Sequence, residues 1–172
     1  VKSEVVKAGM PVSFLSRIFV VPRASTTSIA EPFRALSKIP VSVHTRDDKF
    51  TMTDLANRVA GYTATDARTP LIGEYCAALK RVHGLRTDLS LADRDMVVRI
   101  KAGPYPYDTQ FEGDCVNVIA SRLGLSATEI EQARSALRKV KTLEDLRKIR
   151  LVEACKLAPG LLPVKEPSSG KP

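Results

Sequence analysis

Val12-Ser13-Phe14-Leu15-Ser16-Arg17-Ile18-Phe19-Val20-Val21 is the stretch that decides how this chain begins to fold. β-Branched and aromatic residues fill it, and Pro11 and Pro22 bound it, so it reads as a strand or as one arm of a hairpin. By strict alternation Phe14, Ser16 and Ile18 share one face, and Leu15, Arg17 and Phe19 share the other. Each face then carries a ring and a polar group, so both are expected to be covered or contacted. A Lys-containing, strand-like segment and a Gly9-Met10-Pro11 turn come directly before it.

Downstream the chain reads as helical. Arg23 to Ala30 is a Ser/Thr-rich loop, after which Pro32 suits a first helical turn and Phe33, Leu36 and Ile39 form a short apolar stripe. Pro40 stops that helix, and Val41 to His44 alternates like a short strand. Thr53 is placed to cap a helix to about Tyr62, and Thr69-Pro70 to open one that stops at Gly84. Ser90 to Lys101 and Asp114 to Leu123 are further helices, separated by the rigid loop Gly103-Pro104-Tyr105-Pro106-Tyr107. Ser126 and Glu129 form a capping box, and Thr142-Leu143-Glu144-Asp145 opens a last helix running to about Leu157. The expected architecture is mainly α with a small N-terminal β element, followed by a bundle of five or six helices. The tail 159–172, rich in Pro, Gly, Ser and Lys, is expected to be flexible.

A chain of 172 residues suits one domain that buries roughly 70% of its unfolded surface. Hydrophobic residues at 44% and charged residues at 27% give a globular balance, and aromatics at 5% with no Trp leave an aliphatic core. No apolar run approaches the roughly 18 residues that span a membrane, so no membrane contact is expected from this segment. The net charge of +8 favours a polyanionic partner, nucleic acid first. Cys76, Cys115 and Cys155 are odd in number, far apart and set among apolar helical residues, which reads as buried free thiols.

Taken alone, the residues make a poor enzyme. His44 and His83 lack neighbours at ligand spacing, and the acidic pairs Asp47-Asp48, Asp93 with Asp95, and Glu144-Asp145 have no metal-site frame around them; no metal ligand set is expected. No phosphate-cradling or dinucleotide glycine motif and no nucleophile elbow occurs. The basic residues say more. Arg134, Arg138, Lys139, Lys141, Arg147, Lys148 and Arg150 crowd the last two helices against only Glu144 and Asp145, as a phosphate-facing surface would. Lys80, Arg81 and Arg86 close the helix ending at Gly84. Tyr105 and Tyr107 are candidates for stacking a base, against the plainer reading that both rings plug the loop onto the bundle.

The order of these features resembles motifs D and E of the RNA-dependent RNA polymerases of plus-strand RNA viruses, nodavirus-like in style over residues 12–40. The resemblance rests on Lys2, Gly9 and the Phe-Leu-x-Arg string Phe14 to Phe19, and weakly on residues 27–34; Lys2 precedes Phe14 by 12 residues. It implies residues 1–22 as the end of a palm with its hairpin, 23–50 as a connector with a short helix and strand, and 51–158 as a helical thumb. It implies that Lys2, with Lys7 as its rival, protonates the departing pyrophosphate. Phe14, Leu15, Ser16 and Arg17 would support the 3′ end of the growing strand, with Ser16 or Arg17 facing phosphate. On that basis Arg17→Ala is expected to reduce primer extension more than stability.

The resemblance implies further that Mg2+ or Mn2+ serves the whole polymerase while this segment holds no cofactor. Gly113-Asp114 is followed by Cys115, so the paired aspartates would belong to an upstream palm. A chain opening on Val1 in a strand-like run reads as a piece of a longer protein, inactive by itself. Its partners would be the template–product RNA duplex, nucleoside triphosphates through the palm, and other replicase copies. Its place would be a virus replication complex in the host cytoplasm, with any membrane association carried by other regions. Two other readings stand beside this one: a free-standing basic helical nucleic-acid-binding domain without catalysis, and a helical protein-interaction module.

Overall fold

The computed structural model describes residues 5–40 and 50–149. The stretch read from its residues as one strand or one arm, and from the resemblance as a hairpin at Phe14 to Arg17, is a complete hairpin. Strand β1 (Val12–Phe14) pairs antiparallel with β2 (Arg17–Phe19), with Val12 opposite Phe19 and Phe14 opposite Arg17. Leu15 and Ser16 form the turn, both left-handed at φ 47° and 63°. A turn with both central residues at positive φ matches the twist of paired strands, but it normally uses Asn-Gly. Carrying Leu-Ser there costs roughly 1–2 kcal/mol per residue.

The turn also overturns the expected alternation. Residues facing each other across an antiparallel pair share a face, so Phe14 lies beside Arg17, and Ser13 beside Ile18. Ser28 to Ala30, expected to be loop, is a third strand, β3 (Ser28–Ala30), pairing with β2 so that Ile18 faces Ile29 and Arg17 faces Ala30. Three residues with small side chains at both ends give too short a pattern to read as a strand. Ile18 and Ile29 are fully buried, worth roughly 1.5–3 kcal/mol each.

Helix α1 (Pro32–Lys38) starts with Pro32 at its first position and Glu31 as its cap. Helix α2 (Met52–Asp66) is capped two residues earlier than expected: Thr51, not Thr53, exchanges bonds with Asp54, because the residue three positions on must be able to reach back. Helix α3 (Ile72–His83) also departs from expectation. Thr69 gives its hydroxyl proton to Asp66 at 2.9 Å instead of capping α3, and the cap position falls to Leu71 at φ 70°, its N–H bonded to Glu74 at 2.7 Å. The loop is tight enough that a Cβ on Gly73 would collide with the Ala67 carbonyl.

Helices α4 (Arg94–Ala102), α5 (Glu112–Leu123), α6 (Ala127–Lys139) and α7 (Leu143–Arg147) follow in the expected order, but α7 ends at Arg147, before Ile149 of the helix expected to run to about Leu157. Gly84 and Gly124 end α3 and α5 in the left-handed conformation, and Ser126 with Glu129 and Thr142 with Asp145 form capping boxes. Helix α2 packs on α3 and α4, and α6 lies on α3 and α5. Helix α1 bridges β3, α3 and α5. One aliphatic core runs from Ile18 and Ile29 through Leu36, Ile72 and Ile119 to Leu137 and Val140, so the sheet shares its core with the helices. Val41 to His44, Asp47-Asp48, Cys155, Arg150 and the tail lie outside the described residues. Among the described residues no helix is long and apolar enough to cross a membrane.

Candidate nucleic-acid interface

The hairpin presents its turn outward. Phe14 is 62% and Leu15 81% exposed, with Ser16 exposed beside them. Among the described residues nothing buries the Phe14 ring. Phe19, at the other end of the hairpin, is half-buried.

Arg17, beside Phe14 on the same face, reaches back into the chain. Its side chain is 12% exposed and its Nη1 donates to both oxygens of Asp66 at 2.8 and 2.7 Å. Nη2 donates to the Ser28 carbonyl at 2.6 Å, and Nε and Nη2 reach the Ser28 hydroxyl at 3.3 and 3.2 Å. The guanidinium also stacks on the Tyr105 ring, 3.9 Å from its centroid. Asp66, with a fully buried side chain at the end of α2, accepts five hydrogen bonds: two from Arg17 and one each from the Ala30 amide, Thr65 and Thr69. Every nitrogen of the Arg17 guanidinium is thus engaged inside the chain. Arg17, one of the two residues expected to face phosphate, instead joins the hairpin to a residue 49 positions away at the end of α2.

The two loop tyrosines separate. Tyr107 packs against the core with its hydroxyl buried; burial, and then the neighbouring Cys115 and Glu112, push its pKa up. Tyr105 is 45% exposed and carries Arg17 on one face. The loop is tied down by its backbone: Ser28 donates to the Pro106 carbonyl at 3.3 Å, and the Asp108 amide to Thr27 at 2.8 Å.

The basic run also divides. Arg134 has an 8% exposed side chain and binds Glu74, Glu112 and Glu131 at 2.9, 2.7 and 2.8 Å. Burial opposes its charge, but the bonds to Glu112, Glu74 and Glu131 outweigh burial and hold its pKa above the ordinary arginine value. Arg138 shares Glu74 at 2.8 Å while staying 56% exposed, and Arg147 lies 3.8 Å from Glu144. Lys139, Lys141 and Lys148 are exposed. Arg81, which sequence placed simply at a helix end, donates to the Val140 and Leu137 carbonyls at 3.0 and 2.6 Å and so closes α6 from outside.

Lys2 lies outside the described residues, and Lys7 is exposed in the turn before β1. Cys76 and Cys115 are buried free thiols; burial first, and then the nearby Asp66, push Cys76 up to about 12. Among the described residues no three His, Cys, Asp or Glu stand close enough to share a metal ion.

No family model matches the chain. Similar proteins do: the RNA-directed RNA polymerase of Flock house virus is 42% identical over 93 residues, 54% of this chain and 9% of that protein. The chain is homologous to nodavirus RNA-directed RNA polymerases. The polymerase of Striped jack nervous necrosis virus is 30% identical over 133 residues, 75% of this chain and 13% of the relative. That of Nodamura virus is 40% identical over 73 residues, 42% of this chain and 7% of the relative. This nodavirus-polymerase homologue therefore spans only a small part of the length of the relatives it matches.

Asp66, Glu74 and the cations Arg34, Lys38 and Arg99 give little sign of a role in the sequence. Asp66 sits among Thr63, Thr65 and Thr69, hydroxyls that suit a buried carboxylate, and that is the one local signal for it. Arg34 and Lys38 lie on one helix and Arg99 on another, so the three carry no joint signal.

Proposed function

We propose that this chain is the part of a viral RNA-directed RNA polymerase that carries the palm-edge hairpin and the helical thumb, and that it supports the template–product RNA duplex during nucleotide addition. The hairpin's outward turn is the observation that carries this reading: Phe14 and Leu15 are exposed on a turn anchored from behind by Arg17 and Asp66. An exposed aromatic and aliphatic tip on a rigid mount suits a nucleic-acid end, since base and sugar faces accept apolar contact without regard to sequence. Arg17 then acts as a positioning residue that holds the tip, and Phe14, Leu15 and Ser16 make the contact.

Arg138, Lys139, Lys141 and Lys148 supply sequence-independent attraction to backbone phosphates, while Arg134 is a structural member of α6. The metal-dependent chemistry belongs to the rest of the polymerase, and the RNA and nucleotides come to this segment through it. The test is binding of an RNA duplex to the 172-residue chain across a salt series, followed by fluorescence anisotropy. Lys139→Gln/Lys141→Gln/Lys148→Gln is expected to flatten the slope of log affinity against log salt by roughly one for each phosphate that a lysine had neutralised, with the melting temperature unchanged. An unaltered slope would remove these helices from the interface.

A further inference from the structure

Behind the hairpin turn lies a second feature, a cleft of about 270 Å³ between the turn, α1, α2 and α4. Its lining includes Arg17, Arg34, Lys38 and Arg99, the rings of Tyr62 and Tyr105, and a single acid, Glu31. The Glu31 carboxylate caps α1 by accepting the Arg34 amide at 2.6 Å, which fixes its position at the start of the helix. Arg17 is neutralised by Asp66. Among the described residues the ion pairs within 4 Å involve Arg17, Arg134, Arg138 and Arg147, and none reaches Arg34, Lys38 or Arg99.

Three cations from two helices therefore converge on one concavity against the single carboxylate of Glu31, and among the described residues none of the three is in an ion pair. Arg99 is held there by the Tyr62 ring, 5.1 Å from its centroid, and Arg58 adds a fourth positive charge behind, donating to the Lys38 carbonyl at 3.3 Å. The arrangement has an electrostatic cost in the free protein: burial first, then the charges of Arg34, Arg58 and Arg99, lower the pKa of Lys38. Solvated surface cations spread apart, whereas converging ones gain from an anion, and guanidinium forks match phosphate oxygens.

We propose that this cleft binds a phosphate group, with Arg34, Lys38 and Arg99 as its ligands and Tyr62 and Tyr105 as its walls. The cavity falls just below the roughly 300–1,000 Å³ typical of ligand pockets, which suits a phosphate chain with the rest of the molecule outside. Phosphate is common to a free nucleoside triphosphate and to an RNA strand, and the two are separated by experiment. The site stands on its own charge geometry and goes beyond the duplex interface, since none of its three ligands belongs to the tip or to α6 and α7.

Calorimetric titration of the 172-residue chain with tripolyphosphate at low salt tests it. Arg34→Gln/Lys38→Gln/Arg99→Gln is expected to weaken binding on the order of tenfold or more, and Lys139→Gln/Lys141→Gln/Lys148→Gln less than about twofold. Arg34→Gln alone, at an exposed side chain, keeps the proposal open to refutation if the triple variant fails to fold. Displacement of tripolyphosphate by ATP assigns the site to a free nucleotide, and displacement only by a single-stranded RNA oligonucleotide assigns it to a strand. Wild-type binding by the cleft variants, equal weakening in both triple variants, or no binding at all would overturn the proposal. Duplex binding is read separately by anisotropy, so either proposal can fail while the other stands.

Discussion

Arg17→Ala is expected to cost about 3–5 kcal/mol of folding stability, because it leaves the buried Asp66 carboxylate without its cation. The loss has two parts. The bidentate pairing at 2.7 and 2.8 Å disappears, and so do the bonds that tie Arg17 to Ser28 and thereby β2 to β3. Asp66 retains the Ala30 amide and two threonine hydroxyls, which soften the penalty but supply no positive charge. Urea denaturation of Arg17→Ala, Asp66→Ala and the double variant checks the pairing. The double variant should lose about 1–3 kcal/mol less than the sum of the singles, as for residues in direct contact. Additive losses would mean that the two side chains stabilise the fold independently. The geometry thus gives this substitution a large cost in stability, which the Phe-Leu-x-Arg string alone did not lead one to expect.

Arg134→Ala should be the other large loss, about 3 kcal/mol. Three carboxylates from α3, α5 and α6 converge on this one guanidinium. Without it, Glu74, 13% exposed, keeps only Arg138 and the Leu71 amide, and Glu112 and Glu131 lose their shared partner. Those last two are about half exposed, so water screens them and holds the cost near the lower end for a broken buried pair. Arg134→Lys should recover only part of the stability, since an ammonium cannot present three directed donors in a plane. A thermal or urea melt showing less than about 1 kcal/mol for Arg134→Ala would put the residue back among the surface cations.

These two arginines show where sequence was legible and where it was not. Helix starts and stops announced themselves through local chemistry: Pro32, Gly84, Gly124 and the boxes at Ser126 and Thr142 act within a turn of their own positions. The basic character of α6 and α7 was equally visible. What a charge pairs with was not, because Arg17 meets Asp66 across 49 positions and Arg134 meets Glu74 across 60. Arg134 sits in a basic string that reads as surface and Arg17 in a hairpin expected to meet phosphate, and tertiary contact turns both inward. The turn at Leu15-Ser16 was implied by the resemblance to a Phe-Leu-x-Arg hairpin but not by its own residues. Neither residue favours positive φ, so the stretch carries no local turn signal, and the register shows the chain reversing there. Thr69 misled in the same way, its hydroxyl drawn from a helix cap to the buried Asp66.

The strained turn also offers the most direct test of the central claim, that the exposed hairpin tip contacts RNA while Arg17 and Asp66 only mount it. Leu15→Asn/Ser16→Gly replaces the two left-handed residues with the pair that the turn favours, and it should raise stability by about 1–2 kcal/mol. Affinity of this variant for an RNA duplex, measured beside the parent chain, is the measurement to make. Weaker binding by a more stable protein is the predicted result, since the Leu15 side chain is removed while its mount is kept. Unchanged binding in the stabilised variant would contradict the account and take RNA contact away from the tip.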